Sequence, residues 1–222
     1  MWRRFVRSGV KKAILSRLGF LLIAGGAALA ALGVLALAAY FFLGSGSQST
    51  ATNTNNPQGF NVPKLESTQQ AQSQAAEGPE DKTLKLTIPE MARVRDAAIP
   101  DASGDDEDAL KGHAAIHLRG TGFPWQKEAN VYIAGHRLGY PGYPSFLAFY
   151  DLDNLKEGDE VYMEDADGNE YTYRVFKVFV ADPTDLSVTE PMAGENVLTL
   201  QTCTLPDYSQ RLIVQAELAD KT

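Results

Sequence analysis

VYMEDADGNEYTYRVFKVFV, residues 161–180, places two runs of β-branched and aromatic residues on either side of Asp167-Gly168. An Asp-Gly pair readily adopts the positive φ angles of a tight hairpin turn, so the stretch predicts a hairpin of 161–163 against 171–180. Its second arm changes parity, from Tyr171, Tyr173 and Val175 to Phe176, Val178 and Val180. Side chains alternate strictly along a strand, so this slip predicts a bulge or burial on both faces.

Outward from this hairpin the same grammar repeats. Leu84, Leu86 and Ile88 alternate before Pro89, 131–134 is a short apolar run, and 197–203 and 211–218 complete the set. Residues 145–155 form the best candidate for a helical turn, ahead of the turn Lys156-Glu157-Gly158-Asp159. The reading is a mainly β domain over 83–222. Six or more strands in that length favour a closed barrel or a sandwich.

The preceding residues divide into three. Segment 18–43, LGFLLIAGGAALAALGVLALAAYFFL, is free of charge and as a helix would extend about 39 Å, enough to span a bilayer. Arg3, Arg4, Arg7, Lys11, Lys12 and Arg17 all precede it and no basic residue follows before Lys64. The positive-inside bias therefore keeps 1–17 cytoplasmic and exports the rest, giving a single-pass cell-membrane anchor with an extracellular domain. A cleaved signal peptide is the competing reading, but its apolar core would be about half as long. Segment 44–82, rich in Ser, Thr, Asn, Gln, Gly and Pro, reads as a flexible linker with a reach of about 35 Å.

The chain has 222 residues, 44% of them apolar, which suffices for one ordinary packed domain. Its net charge of −8 is unevenly spread: with the six N-terminal cations set aside, 14 basic residues face 28 acidic ones. That excess of negative charge repels nucleic acid and excludes it as a partner. Cys203 is the one cysteine, so no intramolecular disulfide forms.

Chemistry must then come from few groups. Cys203 ends the run 197–203, and Arg211 opens the next after a seven-residue connection; if the two strands pair, both side chains lie at one end of the sheet. His136 likewise closes Val131-Tyr132-Ile133-Ala134-Gly135-His136-Arg137, after a glycine that permits a sharp exit. A thiolate attacks a carbonyl, an imidazole moves the proton of a leaving amine, and a guanidinium stabilises an oxyanion. The plain alternative makes Cys203 a small buried hydrophobe, Arg211 a surface cation and His136 a turn residue.

These residues carry a resemblance. Thr199-Leu200-Gln201-Thr202-Cys203 resembles the T-L-x-T-C motif of the sortases, membrane-anchored cysteine transpeptidases of mainly Gram-positive bacteria. Ala134-Gly135-His136-Arg137 looks like that family's histidine segment, Arg211-Leu212-Ile213-Val214 like its arginine strand, and Leu86-Thr87-Ile88-Pro89 like its first strand. The resemblance implies an eight-stranded β-barrel with short helices. It implies cleavage of an LPxTG or LAxTG sorting signal between Thr and Gly through a thioacyl enzyme on Cys203, with His136 as acid then base and Arg211 on the oxyanion.

Thr202 would touch substrate or position the cysteine, and Tyr140 and Tyr143 could line the groove. The implied partners are surface proteins bearing the signal and a peptidoglycan amine as acceptor; no cofactor is needed. The His-Arg pair, the N-terminal anchor and the lack of a second apolar span look most like the class E sortases of actinobacteria, with class D or a pilus-related sortase as the alternative. An L,D-transpeptidase would place its cysteine in a Ser-His-Gly-Cys-like context, which is absent here. The remaining alternative is a non-catalytic membrane-tethered β domain.

Two further signals are set aside. His113 and His117 have helical metal spacing, but Gly112 and the β-rich surroundings favour ordinary histidines and no metal site. The acids 105–108 read as a solvated loop, and Glu164-Asp165-Ala166-Asp167-Gly168 as the hairpin turn rather than a calcium loop.

Overall fold

A computed structural model describes Val62 and residues 78–222. The segments expected to be a cytoplasmic N-terminus (1–17) and a membrane anchor (18–43), and most of the expected linker (44–82), lie outside the described residues. Among the described residues no helix is long and apolar enough to cross a membrane.

Among the described residues nine strands form one sheet: β1 Leu84–Thr87, β2 Ala97–Ile99, β3 Asp101–Ala102, β4 Ile116–Leu118, β5 Ala129–Ala134, β6 Glu160–Glu164, β7 Glu170–Ala181, β8 Asn196–Cys203 and β9 Arg211–Lys221. Their order is β2-β1-β6-β7-β9-β8-β5-β4-β3. The two ends of that order are separated in sequence by Pro100 alone. Residues 97–99 pair antiparallel with β1, and 101–102 pair parallel with β4. The same extended segment thus joins both edges and closes the barrel. Proline has no N–H to give to a ladder, so it divides this segment into two strands. That raises the strand number from the expected eight to nine.

The hairpin forms as its sequence requires. Tyr171 pairs with Met163 and Tyr173 with Val161, and Gly168 takes φ +86°. The Asp165 carboxylate accepts the backbone N–H groups of Asp167 and Asn169 at 3.0 Å and the Tyr171 hydroxyl at 2.8 Å. Its lone pairs serve the turn. The parity slip is a bulge: Val175 pairs with Ala216 and Lys177 with Gln215, which leaves Phe176 as the extra residue. Before it, Tyr171, Tyr173 and Val175 face the main core; beyond it, Phe179 and Ala181 pack into a second cluster, while Val178 and Val180 are exposed.

The acids 105–108 are only in part a loop: Asp105 lies in a turn, and the other three build a helix start. Asp106 caps a short helix, α1 (Glu107–Gly112), by accepting the Ala109 N–H at 3.0 Å, and Glu107 and Asp108 occupy its first turn. Acids there complement the partial positive charge of the helix N-terminus. Residues 145–155 are a series of turns ending in a 3₁₀ turn at Leu152–Asn154. His113 follows α1 and returns its backbone N–H to Ala109. His117 is buried in β4, with its ring nitrogens 2.9 Å from Asp101 Oδ1 and 2.8 Å from the Gly122 carbonyl.

Two apolar clusters hold the domain together. Leu84, Leu86, Val131, Ile133, Leu198, Leu200, Val214 and Ala216 belong to the first, inside the barrel. Tyr132, Ala134, Ile213 and Cys203 belong to the second, with Leu110 of α1 and Val188 of a 3₁₀ turn at Leu186–Thr189. Each fully buried aliphatic side chain contributes about 1.5–3 kcal/mol relative to exposure. Strand β8 is covered on both faces, so all eight of its residues are buried. Val62 also packs in the second cluster.

Candidate active site

Three adjacent strands build the site. Strand β8 runs between β5, parallel to it, and β9, antiparallel to it. Ala134 is in register with Gln201, and Gly135 extends the ladder by donating its N–H to the Gln201 carbonyl at 3.0 Å. His136 follows directly on Gly135, one residue beyond that hydrogen bond. On the other side Cys203 is the direct register partner of Arg211. The end of β5, the end of β8 and the start of β9 lie at the same end of the sheet, and they bring an imidazole, a thiol and a guanidinium from 76 positions of chain (136–211) to that end.

Gly135 makes the exit of β5 possible. A Cβ there would stand 2.9 Å from the Phe149 ring and 3.0 Å from the Ala114 carbonyl, closer than side chains tolerate. The loop beyond folds back at Gly139, which takes φ +61° and whose Cβ would meet the Ser145 carbonyl. Phe149 donates its N–H to the His136 carbonyl at 3.2 Å, fixing the backbone of the histidine.

All three groups are buried: His136 is 1% exposed, Cys203 2% and Arg211 3%. Burial disfavours charge, and it lowers the His136 imidazole to about 4. Burial also pushes the Cys203 thiol up, against the opposing pull of the Arg211 and Arg137 guanidinium groups. At neutral pH the imidazole is therefore uncharged and able to accept a proton. Arg211 Nη1 donates to the carbonyls of Tyr208 and Gln210, both at 3.1 Å, so the β8–β9 connection holds the cation at the strand end.

Thr202 is fully buried and alternates to the face opposite Cys203, where its Oγ1 donates to the Gly135 carbonyl at 2.8 Å. It ties the cysteine strand to the histidine exit. Thr202→Val leaves that carbonyl unpaired in the interior, and we expect a loss of about 1–3 kcal/mol, read as a lower midpoint in urea unfolding. Tyr140 meets the His136 ring edge-on, with centroids 5.4 Å apart, and its hydroxyl stands 3.4 Å from Glu107 Oε2. Tyr143 is 48% exposed, with Lys111 Nζ 4.2 Å from its ring centre. The structure thus pairs Cys203 with Arg211 and His136 with Tyr140, turns Thr202 away on the reverse face, and leaves Tyr143 on the outer surface beside α1.

Gln201 was not singled out from the sequence, and Arg137 was read there only as part of the His-Arg pair. Gln201 lies beneath Cys203, where its Oε1 accepts the Tyr132 hydroxyl. Arg137 is buried beside the histidine and pairs with Asp153 at 2.6 Å. Their signal in sequence was only adjacency, Gln201 at the open position of T-L-x-T-C and Arg137 directly after His136.

A buried thiol paired in register with a buried guanidinium, beside the strand that leads into a buried imidazole, marks a cysteine-based site on a sortase-like fold. The Sortase domain family model matches residues 86–219, and the chain belongs to the sortase family. It is 36% identical over 90 residues to sortase A of Streptococcus agalactiae, covering 40% of this chain and 36% of the relative. It is 35% identical over 120 residues to sortase A of Bacillus anthracis, covering 52% and 51%. The chain thus spans roughly a third to a half of the length of these curated relatives. Among solved structures, sortase C1 of GBS pilus island 1 superposes with a TM-score of 0.55 at 27% identity, over 64% of this chain and 68% of the other.

Proposed function

We propose that this protein is a cysteine transpeptidase that cleaves an LPxTG- or LAxTG-like sorting signal between Thr and Gly and transfers the new Thr carbonyl to an amine. The observation that supports this reading best is the register pairing of Cys203 with Arg211, with β5 beside β8 leading into His136.

In the first half-reaction the thiol proton passes to the neutral His136 ring as Cys203 Sγ bonds to the Thr carbonyl carbon. The oxygen of the tetrahedral intermediate becomes an anion, and Arg211 offsets its charge. Collapse restores the carbonyl, breaks the Thr–Gly bond, and transfers the proton from His136 to the departing glycine amine. A thioester between Cys203 and Thr remains. In the second half-reaction an incoming amine attacks that thioester, gives its proton to His136, and forms the new amide as Cys203 leaves and is reprotonated.

Tyr140 contributes by packing against the imidazole edge. Thr202 contributes by holding β8 to the His136 turn. The uncharged run 18–43, preceded by six cations, supports a single-pass anchor with the barrel outside the cell, where sorting signals and peptidoglycan amines meet. Ala134-Gly135-His136-Arg137 supports the class E type. Full-length protein in detergent, given quenched fluorescent LPETG and LAETG peptides with and without a short amine, tests the reading. Amine-dependent product supports it, and intact peptide with both sequences refutes the assumed signal.

A further inference from the structure

Tyr140-Pro141-Gly142-Tyr143 lies in the loop that follows His136. The Tyr143 N–H donates to the Tyr140 carbonyl at 3.0 Å, and Gly142 takes φ +85°. Proline in second place and a left-handed glycine in third are the pattern of a type II turn, which draws its first and fourth residues together. Here both of those residues are tyrosines. The Tyr140 N–H also reaches Ser145 Oγ at 3.4 Å, which ties the turn at its base.

A single cation shares the two rings. Lys111, in the last turn of α1, sets its Nζ 4.2 Å from the Tyr143 ring centre and 5.4 Å from that of Tyr140. Both distances fall within the reach of a ring face for an ammonium group. Glu107 stands one helical turn earlier, where a Glu-Lys ion pair ordinarily forms. Among the described residues, however, Lys111 pairs with no carboxylate, and Glu107 Oε2 instead accepts the Tyr140 hydroxyl at 3.4 Å. The ammonium has taken two ring faces in preference to a neighbouring acid, and with Tyr143 48% exposed the place is open to solvent.

Its position bears on the second half-reaction. The Tyr140 ring that attracts the ammonium also meets the His136 imidazole edge-on. Near neutral pH an incoming alkyl amine arrives largely protonated, as the same chemical group that ends the Lys111 side chain. If Lys111 only braced the loop against α1, its removal would harm the site. If it marks a place for an ammonium, its removal would free that place.

We propose that Tyr140 and Tyr143, with the Glu107 carboxylate beside them, form the site where the primary ammonium of the acceptor docks before its proton leaves, and that Lys111 fills this site in the free protein. This rests on the reading of the chain as a transpeptidase and locates its second substrate. The acceptor displaces Lys111 from the rings and is held one aromatic ring away from His136.

In the test, full-length protein in detergent receives a sorting peptide and a fixed, subsaturating concentration of glycinamide, and the ratio of amide product to hydrolysis product is read. Tyr143→Leu is expected to lower this ratio about 3- to 5-fold, whereas Tyr143→Phe, which keeps the ring, holds it near the parent value. Lys111→Met is expected to raise the ratio about 2- to 3-fold and to leave hydrolysis without amine unchanged, because the resident ammonium no longer competes. Shifts of opposite sign are not what loss of a brace gives. An unchanged ratio in Tyr143→Leu overturns the proposal, as does a ratio unchanged or lowered in Lys111→Met. If the parent cleaves neither LPETG nor LAETG peptide, the assumed signal is refuted, and nitration of Tyr143 by tetranitromethane in Lys111→Met decides for the ammonium site alone. Slowing by glycinamide of about 2-fold or more, with none by N-acetylglycinamide, supports the site. Equal nitration rates with and without glycinamide overturn it.

Discussion

Cys203→Ala is expected to abolish both peptide cleavage and amine transfer while leaving the barrel folded. The side chain is buried at the last position of β8, and Ala keeps the backbone ladder to Arg211 on one side and the packing against Ile213 and Tyr132 on the other. Removing one sulfur from this pocket costs little stability compared with the large core side chains. The reaction, however, loses the only atom able to form the thioester, since the chain has no second cysteine. Turnover should fall to the detection limit, with an unfolding midpoint within a few degrees of the parent. Retained turnover in this variant would end the thioester mechanism.

His136→Ala and Arg211→Ala are each expected to lower kcat/KM by about 10²- to 10⁴-fold, and the double variant by far less than the product. The reason lies in the chemistry of one shared step. With a thiol raised by burial and an imidazole held at about 4, attack requires the proton to move from sulfur to His136 as charge builds on the carbonyl oxygen. Arg211 stabilises that charge, so its contribution depends on the proton having a place to go. Steady-state kinetics on the three variants measures the coupling; independent, multiplicative losses would mean that the two residues act in different steps. Arg211→Lys should recover only part of the loss, because an ammonium cannot reproduce the planar fork of donors held by Tyr208 and Gln210.

Much of this architecture was legible because it has a period. The alternation through Tyr171, Tyr173 and Val175 and its slip at Phe176 predicted a bulge or burial on both faces, and the β7–β9 register contains a bulge there. The Asp-Gly turn and the alternating Leu84, Leu86 and Ile88 needed no tertiary information. Strands β2, β3 and β4 were not legible: two or three residues carry no period, and what makes β2 and β3 strands is the partner on either side of Pro100. The acids 105–108 read as a loop because a cap is recognised only with the helix it opens, and α1 is six residues long.

The candidate site divides in the same way. Cys203, His136 and Arg211 stood out because each sits where an apolar run begins or ends. Their assembly depended on a parallel β5–β8 pairing between strands more than 60 residues apart, which no local pattern encodes. Arg137 was legible only as part of the His-Arg pair; its burial and its ion pair with Asp153 depend on tertiary contacts that no local pattern encodes.

The central claim is a thioester on Cys203, and mass spectrometry of the full-length protein mixed with an LPETG or LAETG peptide tests it most directly. The predicted result is an acyl adduct that maps to Cys203, ends at the Thr of the peptide, and disappears when a short amine is added. Glycine release with no adduct at any time point, and with equal rates in Cys203→Ala, would contradict it.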